Sequence, residues 1–279
     1  MNLINYLKRA KREGWAVGQF NVSNLETMKA VVAASEKEKS PVIVGTSEGE
    51  SSFLGLKEAA ALARVFKEKG VSLFLHLDHG KTFDYIKKAV DAGYDSVHFD
   101  GSKLPLKENI SITKKVMAYC KKRGVQVEGE VGSIGGSSTV LKEIPKLSLT
   151  EAKEAERFVK ETKVDSLAVS VGNFHGVSSS GNPEIDFLRL KEISKAVKDT
   201  PLVLHGGSGI PGQSIKKAIG LGMSKVNVNT DLRVAYTETL RDVLKSGEIV
   251  PYKYMPRVIA KVQKIVEDKI TLFQSKNKI

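Results

Sequence analysis

The sequence predicts an α/β chain folded as one (β/α)8 TIM barrel over residues 1–279, with an extra helix at each end. Three observations predict it. Short runs rich in Val, Ile, Leu and Phe recur at intervals of roughly 20 to 40 residues, as strands do when each is followed by a helix. The segments between them are amphipathic, and several stop at a glycine. No linker, low-complexity stretch or composition break divides the chain, whose 279 residues at 41% hydrophobic content can fill one large core.

Taken in order, "MNLINYLKRAKREG" reads as a short amphipathic helix rather than a signal peptide, placed to plug the barrel's bottom or to lie beside it. The predicted strands are "AVGQFNV" (16–22), "PVIVGTS" (41–47), "SLFLHLD" (72–78), "SVHFDGS" (96–102), "VQVEGEVG" (125–132), "SLAVSVGN" (166–173), "PLVLHGG" (201–207) and "KVNVNTD" (225–231). Gly70, Gly93 and Gly124 stand where three intervening helices close in a left-handed conformation. Thr150, followed by Glu151, supplies an N-cap for the helix after the fifth strand. The segment after Pro251, "YKYMPRVIAKVQKIVEDKITLF", adds a last helix. Strands of such a barrel are covered on both faces, so they are expected to be continuous apolar runs. A doubly wound open sheet is the alternative, and eight regular units without a dinucleotide fingerprint favour closure.

Composition narrows the function classes. A formal charge of +12 raises the question of nucleic-acid binding. The lysines, however, interleave with glutamates in "SEKEKS", "VFKEKG" and "EAKEAERFVKETK", which is the pattern of solvated helix faces. No nucleic-acid partner is expected, and the net positive field favours small anionic substrates. No apolar stretch approaches the roughly 20 residues of a membrane span. The expected setting is therefore cytoplasmic, with no membrane partner. A lone cysteine, Cys120, excludes an internal disulfide and reads as a small core residue of a helix. The basic tail "QSKNKI" is expected to fray.

In a barrel the chemistry belongs at the carboxyl ends of the strands, and reactive residues gather there. His79 follows the third strand, His98 lies near the end of the fourth, His175 follows the sixth and His205 ends the seventh, while His76 lies inside an apolar run as a hydrogen-bonded core residue would. Three imidazoles from different strand tops can converge on one axis. With no thiolate, they suit a catalytic zinc that keeps an open position. Asp78 precedes His79, and Asp100 ends "VHFD". Glu128 and Glu130 alternate in "VEGEVG", a pattern a buried strand tolerates only if partners wait for the charges. "GGSG" (206–209), beside "NVNTD", offers closely spaced backbone N–H groups where barrels commonly hold phosphate.

The motifs "LDHG", "HGV", "HGGSG" and "NVNTD", in this order, together with "AVGQFNVSNLE" and "VEGEVGSIGG", resemble the class II metal-dependent aldolases that act on fructose or tagatose bisphosphate. The resemblance covers nearly the whole chain. It implies His79, His175 and His205 as zinc ligands, Asp100 and Glu130 as acids that engage the metal, and Asp78 as the acid serving the aldehyde oxygen. It implies Gly176, Gly206, Gly207, Ser208, Asn227, Val228, Asn229 and Thr230 as holders of dihydroxyacetone phosphate, and Asn24 and Ser47 as neighbours of the sugar. Arg257 matches a residue reaching the distal phosphate of a neighbouring subunit's substrate. The same resemblance implies a homodimer or homotetramer, and a monovalent cation, Na+ or K+, beside the phosphate. The implied reaction is reversible cleavage of a ketose 1,6-bisphosphate by Lewis-acid chemistry, without a lysine Schiff base.

Three departures qualify this. The family's base for carbon 3 of dihydroxyacetone phosphate is a glutamate in a glycine-rich loop written G-G-x-E-D; here the loop reads "GGSST" (135–139), with Ser138 in the glutamate's place. Glu143, a few residues on, is the expected substitute; failing that, the substrate or reaction differs, or the chain is a slow or inactive relative. "GVSSSGNP" after His175 lacks the Tyr-Lys-Gly of relatives, which affects phosphate contacts, and His98 stands where an apolar residue is expected. Three function classes follow: a zinc aldolase, a barrel metallohydrolase that the phosphate loops disfavour, and a weakened sugar-phosphate binding protein.

Overall fold

The structure is a computed structural model that describes residues 1–181 and 183–279; residue 182, in the "GNP" that departs from the family pattern, lies outside the described residues. In chain order the strands are β1 (Val17–Asn21), β2 (Val42–Ser47), β3 (Leu73–Gly80), β4 (Ser96–Phe99), β5 (Gln126–Val131), β6 (Gly136–Leu141), β7 (Ser166–Val169), β8 (His175–Ser178), β9 (Leu202–Leu204) and β10 (Met223–Val228). Each of the eight expected strands is among them. They close as β1-β10-β9-β7-β5-β4-β3-β2, parallel throughout, while β6 and β8 pair with each other above the barrel mouth.

The strand faces are less alike than continuous apolar runs imply. Outward residues such as Phe20, Leu73, Leu75, Leu77, Val127, Val131, Val226 and Val228 join the surrounding helices in the large core. The alternate, inward residues begin as an apolar floor of Val17, Ile43 and Phe74 packed on Leu3, Tyr6, Leu7 and Ala10 of the first helix, Leu3–Glu13. That helix therefore plugs the bottom of the barrel. Above the floor the inward residues turn polar: Gln19, His76, Glu128 and Lys225, then Asn21, Asp78, His98, Glu130, His205 and Asn227, all buried. An unpaired buried ion costs several kcal/mol, and the charges at the lower level of the lumen pair. Lys225 Nζ meets Glu128 Oε2 at 2.5 Å and His76 Nε2 at 3.3 Å, and His76 Nδ1 meets Ser96 Oγ at 2.7 Å. His76 is the hydrogen-bonded core residue expected of it.

Two local expectations are corrected. Thr150 does not cap the helix Ala152–Thr162, whose N-cap is Glu151 with no side-chain bond. It is buried, donating to the Val131 carbonyl and accepting from the Ser170 N–H at 2.8 Å, so it ties the end of β5 to the end of β7. The tail does not fray. Ser275 is buried against Ser40 at 3.0 Å, and the Asn277 and Lys278 amides donate to the Glu38 and Lys39 carbonyls at 3.0 Å each. The last helix, Pro251–Leu272, packs on the helices Leu25–Glu38 and Thr230–Leu244. Among the described residues, no helix is long and apolar enough to cross a membrane.

Candidate active site

The alternation of β3 would send consecutive residues to opposite faces. Asp78 and His79 nevertheless both reach the mouth, because His79 takes a left-handed φ of 54° and the register with β4 slips between Leu77 and Gly80. A non-glycine residue there costs roughly 1 to 3 kcal/mol and persists where its surroundings impose it. Here the His79 N–H donates to His98 Nδ1 at 3.3 Å.

His79 Nε2 is the hub. It lies 3.0 Å from His175 Nε2 and 2.9 Å from His205 Nδ1, which brings the three predicted histidines together. The remaining nitrogens of two of them rest on carboxylates, His79 Nδ1 on Asp100 Oδ2 at 2.9 Å and His205 Nε2 on Glu128 Oε1 at 2.8 Å. Asp100 thus orients a ring, and it also accepts from Ser102 Oγ at 2.6 Å. Glu130 Oε2 is sealed from solvent without a hydrogen bond among the described residues, 3.3 Å from an equally unpartnered His98 Nε2 and 3.9 Å from His79 Nδ1. Ligand atoms of Asp78, His79, His98 and His205 lie within 4.8 Å of one another, as do those of His79, Asp100 and Glu130. Imidazole nitrogens converging beside an orphaned carboxylate oxygen, two rings backed by acids, are a donor set that fits zinc.

Burial would strip His79 of its proton, yet Asp78, Asp100 and Glu130 outweigh burial and hold its pKa up to about 10. Burial, with His79 and His205 beside it, drives His175 down to about 3. Burial lowers His205 too. For Asp78 burial works the other way, but His79, His205, His76 and Lys225 draw its pKa well below the ordinary carboxylate value. Its oxygens accept from Asn21 Nδ2 at 2.9 Å and Asn227 Nδ2 at 3.2 Å.

Beside Asp78 and His175 opens a pocket walled by Gly176, Gly206, Ser208, Asn227, Asn229, Thr230 and Ser138. Gly206 has φ 66°, and a Cβ there would lie 2.0 Å from the Phe174 carbonyl oxygen, so only glycine brings β9 this close. A wider cleft continues past Ser47, Glu48, Lys81, Lys103, Ser137, Ser138 and Arg233.

Several expected residues do other work. Asn24 caps the helix Leu25–Glu38, accepting from the Thr27 N–H at 2.9 Å, and donates to Tyr236 Oη at 3.0 Å. Gly207 N–H is spent on the Asn227 carbonyl at 2.8 Å. Val228 points into the outer core. Glu143 is exposed and outside both cavity linings. Arg257 pairs with Asp242 at 3.4 Å in a surface groove away from this chain's histidines. The glycine-rich segment is strand β6, and Ser138 lines the pocket. Residues the sequence reading passed over are Asn21, Lys225, Glu50 and Arg233. The first two were signalled by strand alternation, as Glu128 was; the last two were not, because their meeting joins positions 183 residues apart.

A parallel barrel with such a cluster and pocket at its carboxyl mouth defines an enzyme of the barrel class. More particularly, the chain belongs to the fructose-bisphosphate aldolase class-II family, whose profile matches residues 1–278. It is 43% identical to a 6-phospho-5-dehydro-2-deoxy-D-gluconate aldolase of Bacillus velezensis, over 100% of this chain and 97% of that one. It is 42% identical to a fructose-bisphosphate aldolase of Geobacillus stearothermophilus, over 93% and 90% of the two chains. The YdjI aldolase of Escherichia coli K12 superposes with a TM-score of 0.87 at 29% identity, covering 99% of this chain and 98% of that one. The protein is therefore an aldolase-family lyase.

Proposed function

We propose that the protein catalyses zinc-dependent, reversible aldol cleavage of a ketose 1,6-bisphosphate, with fructose 1,6-bisphosphate the first candidate, to dihydroxyacetone phosphate and glyceraldehyde 3-phosphate. The observation that carries this is the junction of the Asp78–histidine cluster with the pocket of Gly176, Gly206, Ser208 and Thr230. His79, His175 and His205, with Glu130 as a further acid, would hold a zinc ion, which would supply Lewis-acid polarisation of the substrate ketone. The chain's own groups do the rest. Asp78, anionic and aimed by Asn21 and Asn227, accepts the proton of the aldehyde-forming hydroxyl during cleavage and returns it during condensation. The pocket's hydroxyls and amides hold one phosphate. Glu143 is the proposed base at carbon 3, which requires residues 142–148 to fold over the mouth. A cytoplasmic homodimer or homotetramer, Arg257 serving a neighbour's substrate, and a Na+ or K+ ion beside the phosphate belong to the same reading.

A second substrate reading, 6-phospho-5-dehydro-2-deoxy-D-gluconate, is favoured by the names of relatives at 43%, 42% and 41% identity. The test gives zinc-loaded protein fructose 1,6-bisphosphate, tagatose 1,6-bisphosphate and this keto acid in turn, following dihydroxyacetone phosphate release. Turnover abolished by chelation and restored by zinc is expected, and the largest kcat/KM names the substrate. Turnover that survives complete metal removal sinks the zinc mechanism; none with any of the three leaves the binding-protein reading. Glu143→Ala is expected to slow exchange of the carbon 3 proton of dihydroxyacetone phosphate by about 100-fold, and unchanged exchange removes Glu143 from the role.

A further inference from the structure

We infer that Arg233 is a specificity-determining residue, binding a carboxylate or phosphate on the half of the substrate that leaves as aldehyde; this rests on the aldolase reading above. Arg233 stands in the first turn of the helix Thr230–Leu244 and is fixed by both ends of its guanidinium. Nη2 meets Glu50 Oε1 at 2.6 Å, and Nη1 donates to the Ser138 carbonyl at 2.8 Å. Glu50 is an unusual anchor. It is 6% exposed and also accepts from the Ser47 N–H at 2.8 Å, Asn21 at 3.0 Å and Asn229 at 3.2 Å. The arginine cannot swing away without leaving a buried carboxylate to neutral donors in place of a cation, yet 47% of its own side chain is exposed on the cleft wall.

The placement of cations along the cavity gives the arginine its meaning. The inner pocket is lined by amides, hydroxyls, one imidazole and, at its reacting end, the Asp78 carboxylate, with no lysine or arginine among the described residues, so a phosphate there is held by backbone and neutral donors. The cleft beyond it carries Lys81, Lys103 and Arg233. Of these, Arg233 alone is tied to the reacting end, through Glu50 and Asn21 to Asp78, in hydrogen bonds of 2.6, 3.0 and 2.9 Å. An anion on its unused N–H groups therefore lies on Asp78's side of the bond that breaks. A guanidinium takes either a carboxylate or a phosphate in this manner.

The test measures condensation of dihydroxyacetone phosphate with three aldehydes: one ending in phosphate, one ending in carboxylate, and uncharged glyceraldehyde. Arg233→Ala is expected to raise KM for a charged aldehyde by about tenfold or more, to leave the uncharged one within about twofold, and to spare kcat, with Arg233→Lys recovering part of the loss. The aldehyde that suffers more identifies the anion. Equal losses for charged and uncharged aldehydes in folded Arg233→Ala and Arg233→Lys would show that the arginine merely braces β6, and would overturn the inference. If the protein turns over no substrate, calorimetry with glycerol 3-phosphate and malonate decides: binding that weakens in both variants supports the inference while the aldolase reading fails. Binding equal to that of the unsubstituted protein overturns it.

Discussion

Asp78 and His79 are neighbours in sequence that an ideal strand would separate, and the left-handed His79 backbone is what lets one strand end deliver both a proton-transferring acid and an imidazole. The same accounting of partners explains the lumen. Glu128 is tolerable at 2% exposure because Lys225 and His205 take its two oxygens. Lys225 is correspondingly bound to an acid rather than free as a nucleophile, consistent with chemistry that needs no Schiff base. Cys120 shows the opposite environment. Buried in a helix, its thiol is pushed up to about 12, first by burial and then by Asp165. A raised thiol pKa keeps the neutral form across the working range, and only the thiolate is nucleophilic. Native protein is therefore expected to resist a thiol-reactive dye even at pH 9, where a free thiol of pKa about 8.5 is mostly ionised; denatured protein should label at once. Rapid native labelling at pH 9 would mean that the helix opens.

At the level of the elements, a residue read as a cap turned out to be a tie. Thr150 spends its hydroxyl on the Val131 carbonyl and the Ser170 N–H, both sealed between β5 and β7. Thr150→Val keeps the shape and removes both bonds, leaving two buried backbone groups unpaired. A loss of about 2 to 4 kcal/mol is expected in equilibrium urea unfolding, at roughly 1 to 3 kcal/mol for each stranded group. A loss below half a kcal/mol would mean that water replaces the hydroxyl. This element also marks how far the sequence could be read. The strands, the order of histidines and the need for partners to Glu128 were legible, because strand periodicity and the cost of buried charge act locally. Thr150 followed by Glu151 has the local signature of a helix start, and nothing local says that the hydroxyl is claimed by two strands. Asn24 was similarly ambiguous, since a residue that can touch a sugar is also a good N-cap, and the cap claimed it. Glu50 and Arg233 were not legible at all, because an ion pair between distant helix starts exists only once the barrel has closed.

For the molecule as a whole, a polar lumen makes the floor decisive. The charges of Lys225 and Glu128 are paired, and the neutral His76 is hydrogen-bonded, for a dry interior, so water entering from below would weaken every one of those contacts. The first helix prevents this by laying Leu3, Tyr6, Leu7 and Ala10 across Val17, Ile43 and Phe74. The chain's one tryptophan, Trp15, is sealed at the junction of that helix with β1 and donates to Glu13 at 3.0 Å. Its fluorescence therefore reports the plug, whereas far-ultraviolet circular dichroism reports the barrel. If floor and lumen are one cooperative unit, the two signals should change together in urea, and Leu7→Ala should move both midpoints down by the equivalent of about 2 to 5 kcal/mol. A variant in which tryptophan fluorescence shifts early while the dichroism transition stays in place would show a detachable cap, and a barrel whose buried charges stand without it.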